Sequence, residues 1–183
     1  MSDPVIVAFI AGAVAFGVAY INSVLSESYR RFRDRTTLAA SLAGELGAYE
    51  NAWPILTEML DQLIEGAEAD SPALGFLRPM ERPKDFIYEK SVERLGLLGA
   101  SACESVVYVY SNINAFRQAF EIIAREHKEM SPLEIQSRAK GCQAALQRAA
   151  TRGEVLLNSL RRISNAKFVP DWPWSPWLAL LRW

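Results

Sequence analysis

The chain carries PVIVAFIAGAVAFGVAYINSVLS at Pro4–Ser26, a run without a single charged side chain. Val5 to Leu25 is 21 residues. As an α-helix that is about 32 Å at roughly 1.5 Å per residue, the thickness of a bilayer's hydrocarbon core. A cleaved signal peptide would need a basic stretch ahead of a shorter apolar run. Here only Met1, Ser2 and Asp3 come before it, and the small-residue triplet Ala11-Gly12-Ala13 lies inside the run. A soluble core helix is rarely this long without a charge. Residues 1–26 are therefore read as a transmembrane anchor.

The flanks set an orientation. Asp3 stands on one side, and Arg30, Arg31, Arg33 and Arg35 stand on the other. Basic flanks stay in the cytoplasm, so the sequence predicts a bacterial inner-membrane protein with its N-terminus out and its C-terminal domain cytoplasmic. The same arginines would lie among headgroups, where they either hold anionic lipid or only fix topology. Ala8, Ala11, Gly12, Ala15 and Ala19 recur at three- and four-residue spacing on one face of the span. Small residues allow close helix approach in lipid. This face is either a contact for another membrane helix or a surface that touches only lipid.

Composition bounds the remainder. The chain has 183 residues, 20 Lys plus Arg against 21 Asp plus Glu, and half of its residues are apolar. Such a balance gives no reason to invoke nucleic acid, whose partners present a net basic domain. Two Cys and one His exclude a disulfide scaffold and a zinc cluster built from those residues.

Beyond the anchor the text is helical. Leu42, Leu46, Tyr49, Trp53, Leu56, Leu60 and Leu63 step by four and three, a seam that packs helix on helix. This first helix (27–66) is expected to continue from the anchor and to kink near Pro54. Residues 67–84 hold Pro72, Pro79 and Pro83 and read as a loop. From Tyr88 through Val106, Ile113 and Phe120 to His127 the apolar residues again step by four and three. The spacing predicts one helix over 85–128, about 66 Å long. Gly96 and Gly99 either weaken it or permit a bend. Ser131-Pro132-Leu133-Glu134 is a strong helix start. Ile135, Ala139, Cys142, Leu146, Ala149, Gly153, Leu156, Leu160 and Ile163 then form a third seam. Its small residues would admit the bulky seam of the second helix. The expected fold is all-α: a transmembrane helix, then an elongated antiparallel bundle of about three long helices, with 85–164 as its closing hairpin.

No catalytic constellation is present. Nucleophile-elbow, phosphate-loop and metalloprotease motifs are all lacking. Ala124, not Glu, stands three residues before His127, so the di-iron bundle spacing fails. His127 and Cys142 read as packing residues, and Glu45 as a half-buried polar residue. No enzyme activity, cofactor, metal or small-molecule substrate is expected. An unrecognised carboxylate site is the one enzymatic alternative.

The segment 165–183 differs from everything before it. It holds Trp172, Trp174, Trp177 and Trp183, interleaved with Pro170, Pro173 and Pro176. Such aromatics cap their own bundle, sit in headgroups, or dock into a partner subunit. In a straight bundle the third helix rises away from the membrane. The segment would then begin about 50 Å from the bilayer, which favours partner docking over contact with its own membrane.

RTTLAASLAGELGAYE at Arg35–Glu50 and FIYEKSVERLGLLGASACESVVYVYSNI at Phe86–Ile113 resemble a broad set of uncharacterised bacterial proteins with one N-terminal span and a cytoplasmic helical domain. The resemblance covers about two-thirds of the chain and implies no activity and no site residues. The expected role is that of a non-enzymatic accessory, tethering or assembly subunit, with membrane lipid and other membrane subunits as partners. The alternative is a self-associating membrane effector or sensor in a stress or phage response.

Overall fold

A computed structural model describes residues 4–68 and 85–169. Of these, 93% are helical and none lies in a strand. Helix α1 runs unbroken over Pro4–Glu50, so the apolar segment and the polar stretch after it are one rod. Helix α2 (Ala52–Glu68) follows after a turn at Asn51. Pro54 explains the interruption: it offers no N–H to the Glu50 carbonyl, and its ring crowds that turn.

The continuous helix expected over 85–128 does not form. Helix α3 is short (Phe86–Ser91) and passes into a 3₁₀ segment, Val92–Leu98. Gly99 follows with φ +92°, a conformation that side chains with a Cβ rarely adopt. Helix α4 then runs over Ala100–Glu126. A 3₁₀ turn repeats every three residues. Leu95 and Leu98, three apart, share a face and are the buried pair there; Val92, at the junction with α3 where the segment begins, is 52% exposed. The four–three seam resumes only beyond the break, where Val106, Val109, Ile113, Phe116, Phe120 and Ile123 are all buried.

Helix α5 (Pro132–Ser164) starts as its sequence dictates, with the Ser131 hydroxyl accepting from the Glu134 amide at 3.2 Å and Pro132 at the first position. It is the element that α1, α2 and α4 all pack against. Its two-sided burial is visible in the residues: Ala145 and Leu157 are buried as well as the seam positions from Ile135 to Leu160. Arg152 pairs with Glu104 at 2.7 Å, and Arg148 donates to Asn112 at 2.9 Å. Gln143 donates to Asp61 at 2.5 Å and Gln136 to Glu68. Residue numbers fall along α5 as they rise along α4 and α2, so α5 runs opposite to both.

Two apolar clusters result. One joins Leu38, Leu42 and Leu46 of α1 to Leu95, Leu98, Val106, Tyr110, Leu156 and Leu160. The other joins Leu60 and Leu63 of α2 to Phe116, Phe120, Ile123, Ile135 and Leu146. Trp53 borders both. Gly153 was expected to admit the seam of the second helix, but it faces this indole instead. A Cβ at 153 would collide with Cη2 of Trp53 and press on Cζ2 at 3.2 Å.

Gly153→Ala should consequently lower stability by about 1–2 kcal/mol, because overpacking outweighs the roughly 1 kcal/mol that alanine gains in a helix. Gly141→Ala, on the exposed face of α5 with nothing within 4 Å, should raise it by about 0.5–1 kcal/mol. Urea unfolding of the detergent-solubilised chain, followed by helical circular dichroism, measures both.

Candidate functional site

The most highly connected polar groups join α1, α3 and α4. On α1, one turn apart, lie Glu45 and Tyr49. Glu45 accepts the Ile87 and Tyr88 amides at 2.9 and 3.0 Å, and the Tyr110 hydroxyl at 2.9 Å. It thus binds amides at the start of α3, which otherwise lack intrahelical acceptors. Tyr88 stacks on Tyr110 with ring centroids 4.1 Å apart. Asp85, only 4% exposed, accepts from both Arg117 Nη atoms, at 2.5 and 3.2 Å, and from the Tyr49 hydroxyl. Arg117 also donates to that hydroxyl and lies over its ring at 5.3 Å.

Burial, followed by the hydrogen bond to Asp85, pushes the Tyr49 phenol up to about 12. Burial and then the Glu45 charge push Tyr110 up as well. Both phenols keep their protons at neutral pH and act as donors to carboxylates. Asp85 is paired with the Arg117 charge, the Glu45 oxygens are satisfied by neutral donors, and no nucleophile stands beside a free base. The arrangement clamps Asp85 and the start of α3 onto α1 and α4. Glu45 was legible as a half-buried polar residue. The sequence reading took Tyr49 only as a seam residue and missed Asp85 and Arg117 as functional groups; the one local signal is Arg117 beside the apolar seam residue Phe116.

The second site lies where the apolar part of α1 ends. Arg30, Arg31, Arg33 and Arg35 are all exposed. Arg31 bonds Glu27 at 2.7 Å, and that hydrogen bond lowers the Glu27 carboxyl. Arg33 and Arg94 both approach Asp34, at 3.9 and 4.0 Å. Between α1, the start of α4 and the end of α5 is a cavity of about 460 Å³, lined by Phe32, Arg35, Thr36, Ser101, Ser159 and Arg162 among others. Gly99 supplies no side-chain cap, and Gly99, Ala100 and Ala102 also line this space. It is a basic, solvent-open groove, suited to anions rather than to acid–base chemistry.

The end of α5 corrects the expected topology. After Ser164 the chain brings Phe168 against Tyr29 and Phe32, with centroids 5.2 and 5.3 Å apart. The described chain therefore reaches Val169 near the level of Tyr29 and Phe32, close to where the apolar run ends, and not at the far end of the domain. The reason is the break at Gly99, which adds a traverse of the domain that a continuous helix would lack. Trp172, Trp174, Trp177 and Trp183 themselves lie outside the described residues, as do residues 69–84 of the expected loop.

Ala8, Ala11, Gly12, Ala15 and Ala19 are exposed along α1, and a Cβ at Gly12 would meet nothing within 4 Å. His127 is buried, its Nδ1 3.1 Å from the Ala124 carbonyl. Burial pushes the Cys142 thiol up to about 11, as befits a core residue. Among the described residues no three His, Cys, Asp or Glu side chains gather as a metal site. Compared with protein-family models, curated proteins and solved structures, the chain matches none.

Asp85→Asn should cost about 3–5 kcal/mol, because it strands the buried Arg117 charge. Glu104→Gln, at the exposed Arg152 pair, should cost under about 1 kcal/mol. Adding Arg117→Met to Asp85→Asn should recover much of the first loss, as denaturant unfolding of the three variants would measure. Tyr49 contributes stability in full below pH 10, its ordinary value, and loses it as pH rises towards 12. The fall in thermal midpoint across that window should be smaller for Tyr49→Phe than for the parent chain.

Proposed function

We propose that the chain is a single-pass protein of the bacterial inner membrane, with its N-terminus out and an elongated antiparallel helical bundle in the cytoplasm. It serves as a non-enzymatic accessory, tethering or assembly subunit of a membrane-associated complex. One observation carries this reading. An 18-residue window of α1 with mean hydropathy 1.9 is wholly unburied, and the same helix continues without a break into the packed core. An apolar face of that size has no reason to stay in water. A rigid rod joining span to domain transmits position. It fixes the height and rotation of everything packed on α5 relative to the bilayer. Arg30, Arg31, Arg33 and Arg35 support the orientation through the positive-inside bias.

A second reading draws on the small-residue face. Ala8, Ala11, Gly12, Ala15 and Ala19 are free of intramolecular cover, which supports a self-associating effector or sensor that pairs through its span.

Two measurements test these readings. Alkaline phosphatase fused to the N-terminus should be active, and a fluorescent protein fused to the C-terminus should fold and emit; the opposite pattern reverses the topology. Mild-detergent purification should recover a second membrane protein in fixed ratio with the chain. Recovery of the chain alone as an oligomer, dissociated by Gly12→Leu, would replace the accessory role with the effector.

A further inference from the structure

Three helices leave a gap at the end of the domain nearest the span. Gly99, Ala100 and Ala102 open α4 without bulk, so no large side chain fills the space between α1 and α5 there. The cavity of about 460 Å³ continues into a second, of about 530 Å³, along the crevice between α4 and α5. Ser101, Ala102, Ser159 and Arg162 line both, so the two form one groove.

Helical spacing decides what the groove presents. Arg35 and Thr36 of α1 share a face with Phe32, three and four residues earlier. Ser101 and Ser105 share one face of α4, as Asn158 and Arg162 share one face of α5. The charges are unbalanced. No Asp or Glu is among the residues lining either cavity. On the same two helices Arg33 has Asp34 at 3.9 Å and Arg161 has Glu50 at 3.6 Å. Among the described residues Arg35 and Arg162 have no such partner. Two unneutralised guanidiniums from different helices thus meet one concave space, beside hydroxyl and amide side chains. A guanidinium fork matches phosphate oxygens. Serine and asparagine side chains match a ligand's hydroxyls, being both donors and acceptors. The groove is of the size that holds small ligands.

Phe32 and Arg35 lie seven and ten residues beyond Leu25 on the unbroken α1, about 10 and 15 Å along its axis. A headgroup layer is about 5–7 Å deep. The groove therefore opens just above it, where a phosphate can arrive from the leaflet or from solution.

We propose that this groove binds a glycerol phosphate group, with Arg35 and Arg162 on the phosphate and Ser101, Ser105 and Asn158 on the neighbouring hydroxyls. Phosphatidylglycerol and free glycerol phosphate both carry that chemistry. Only the lipid source rests on the transmembrane reading of α1.

The test uses the full-length chain in uncharged detergent, titrated by calorimetry with glycerol 3-phosphate and with inorganic phosphate. Glycerol 3-phosphate should bind one-to-one and more tightly than inorganic phosphate. Arg35→Gln and Arg162→Gln should each weaken it about tenfold or more. Ser101→Ala should remove the preference over inorganic phosphate while leaving phosphate binding in place. In parallel, the chain is extracted from vesicles of phosphatidylcholine and phosphatidylglycerol and weighed by native mass spectrometry. One retained phosphatidylglycerol, lost in Arg35→Gln and Arg162→Gln but kept in Arg30→Gln with Arg31→Gln, supports the site and assigns the leaflet as its source. Binding of glycerol 3-phosphate without retained lipid supports the site with a soluble source. Neither binding nor retention overturns the proposal. Equal affinity for inorganic phosphate overturns it too, as does equal loss in the Arg30 and Arg31 variant, which marks a general basic collar. An alkaline wash reads the span separately: a chain stripped by it that still binds glycerol 3-phosphate loses the span and keeps the groove.

Discussion

The positive φ of Gly99 governs the topology of the whole domain. A residue with a Cβ resists that conformation, and a helix cannot pass through it. The chain descends from the level of Glu45, where the Ile87 and Tyr88 amides are held, to that of Asp34, where Arg94 reaches. At Gly99 it turns and climbs again as α4, so that Tyr110 returns to Glu45 and Arg117 to Tyr49. Helix α5 then has only one way to go, back toward the apolar end of α1. The parity of the traverses, and with it the end of the domain at which Phe168 arrives, depends on that one backbone conformation.

The descending strip 85–98 is too short to hold itself in place. A six-residue helix and a 3₁₀ turn have little intrinsic stability, because helix nucleation is costly and 3₁₀ hydrogen bonds are poorly aligned. Its apolar contribution is modest, chiefly Leu95 and Leu98. The polar clamp supplies what is missing. Glu45 takes over the role of a helix cap from across the interface, and Asp85 ties the strip's first residue to α4 through Arg117. A buried ion pair contributes little net stability compared with an apolar substitute. It does impose a register, since a shift of either partner leaves a charge unmatched. The clamp thus adds a constraint on register to the one that the Gly153–Trp53 fit already imposes.

The sequence made the helical class legible because a charge-free run and three four–three seams each exceed what chance patterning gives. Ser131-Pro132 fixed the start of α5, and the seam from Val106 to Ile123 was right residue by residue. The failure came at Gly96–Gly99. Leu95 and Leu98 fit a seam of period 3.5 almost as well as a 3₁₀ repeat of three. Over only seven residues the two periods differ by less than one position, so hydrophobic spacing cannot separate them. The glycine pair was the sole clue, and glycine inside a helix costs too little to force a break by itself. Asp85, Tyr49 and Arg117 were invisible for another reason. They lie 32 to 68 residues apart in pairs, and their meeting depends on the same reversal.

A misjudged break changed more than one element. With 85–128 continuous, the C-terminal aromatics would stand at the far end of the domain, and a protein partner would be the natural occupant. With the reversal in place, α5 ends at the other end of the domain, where Phe168 rests on Tyr29 and Phe32. The same Trp and Pro composition thus points to different chemistry depending on which end of α5 it follows. Composition identifies a segment that needs cover, and topology decides what lies close enough to provide it.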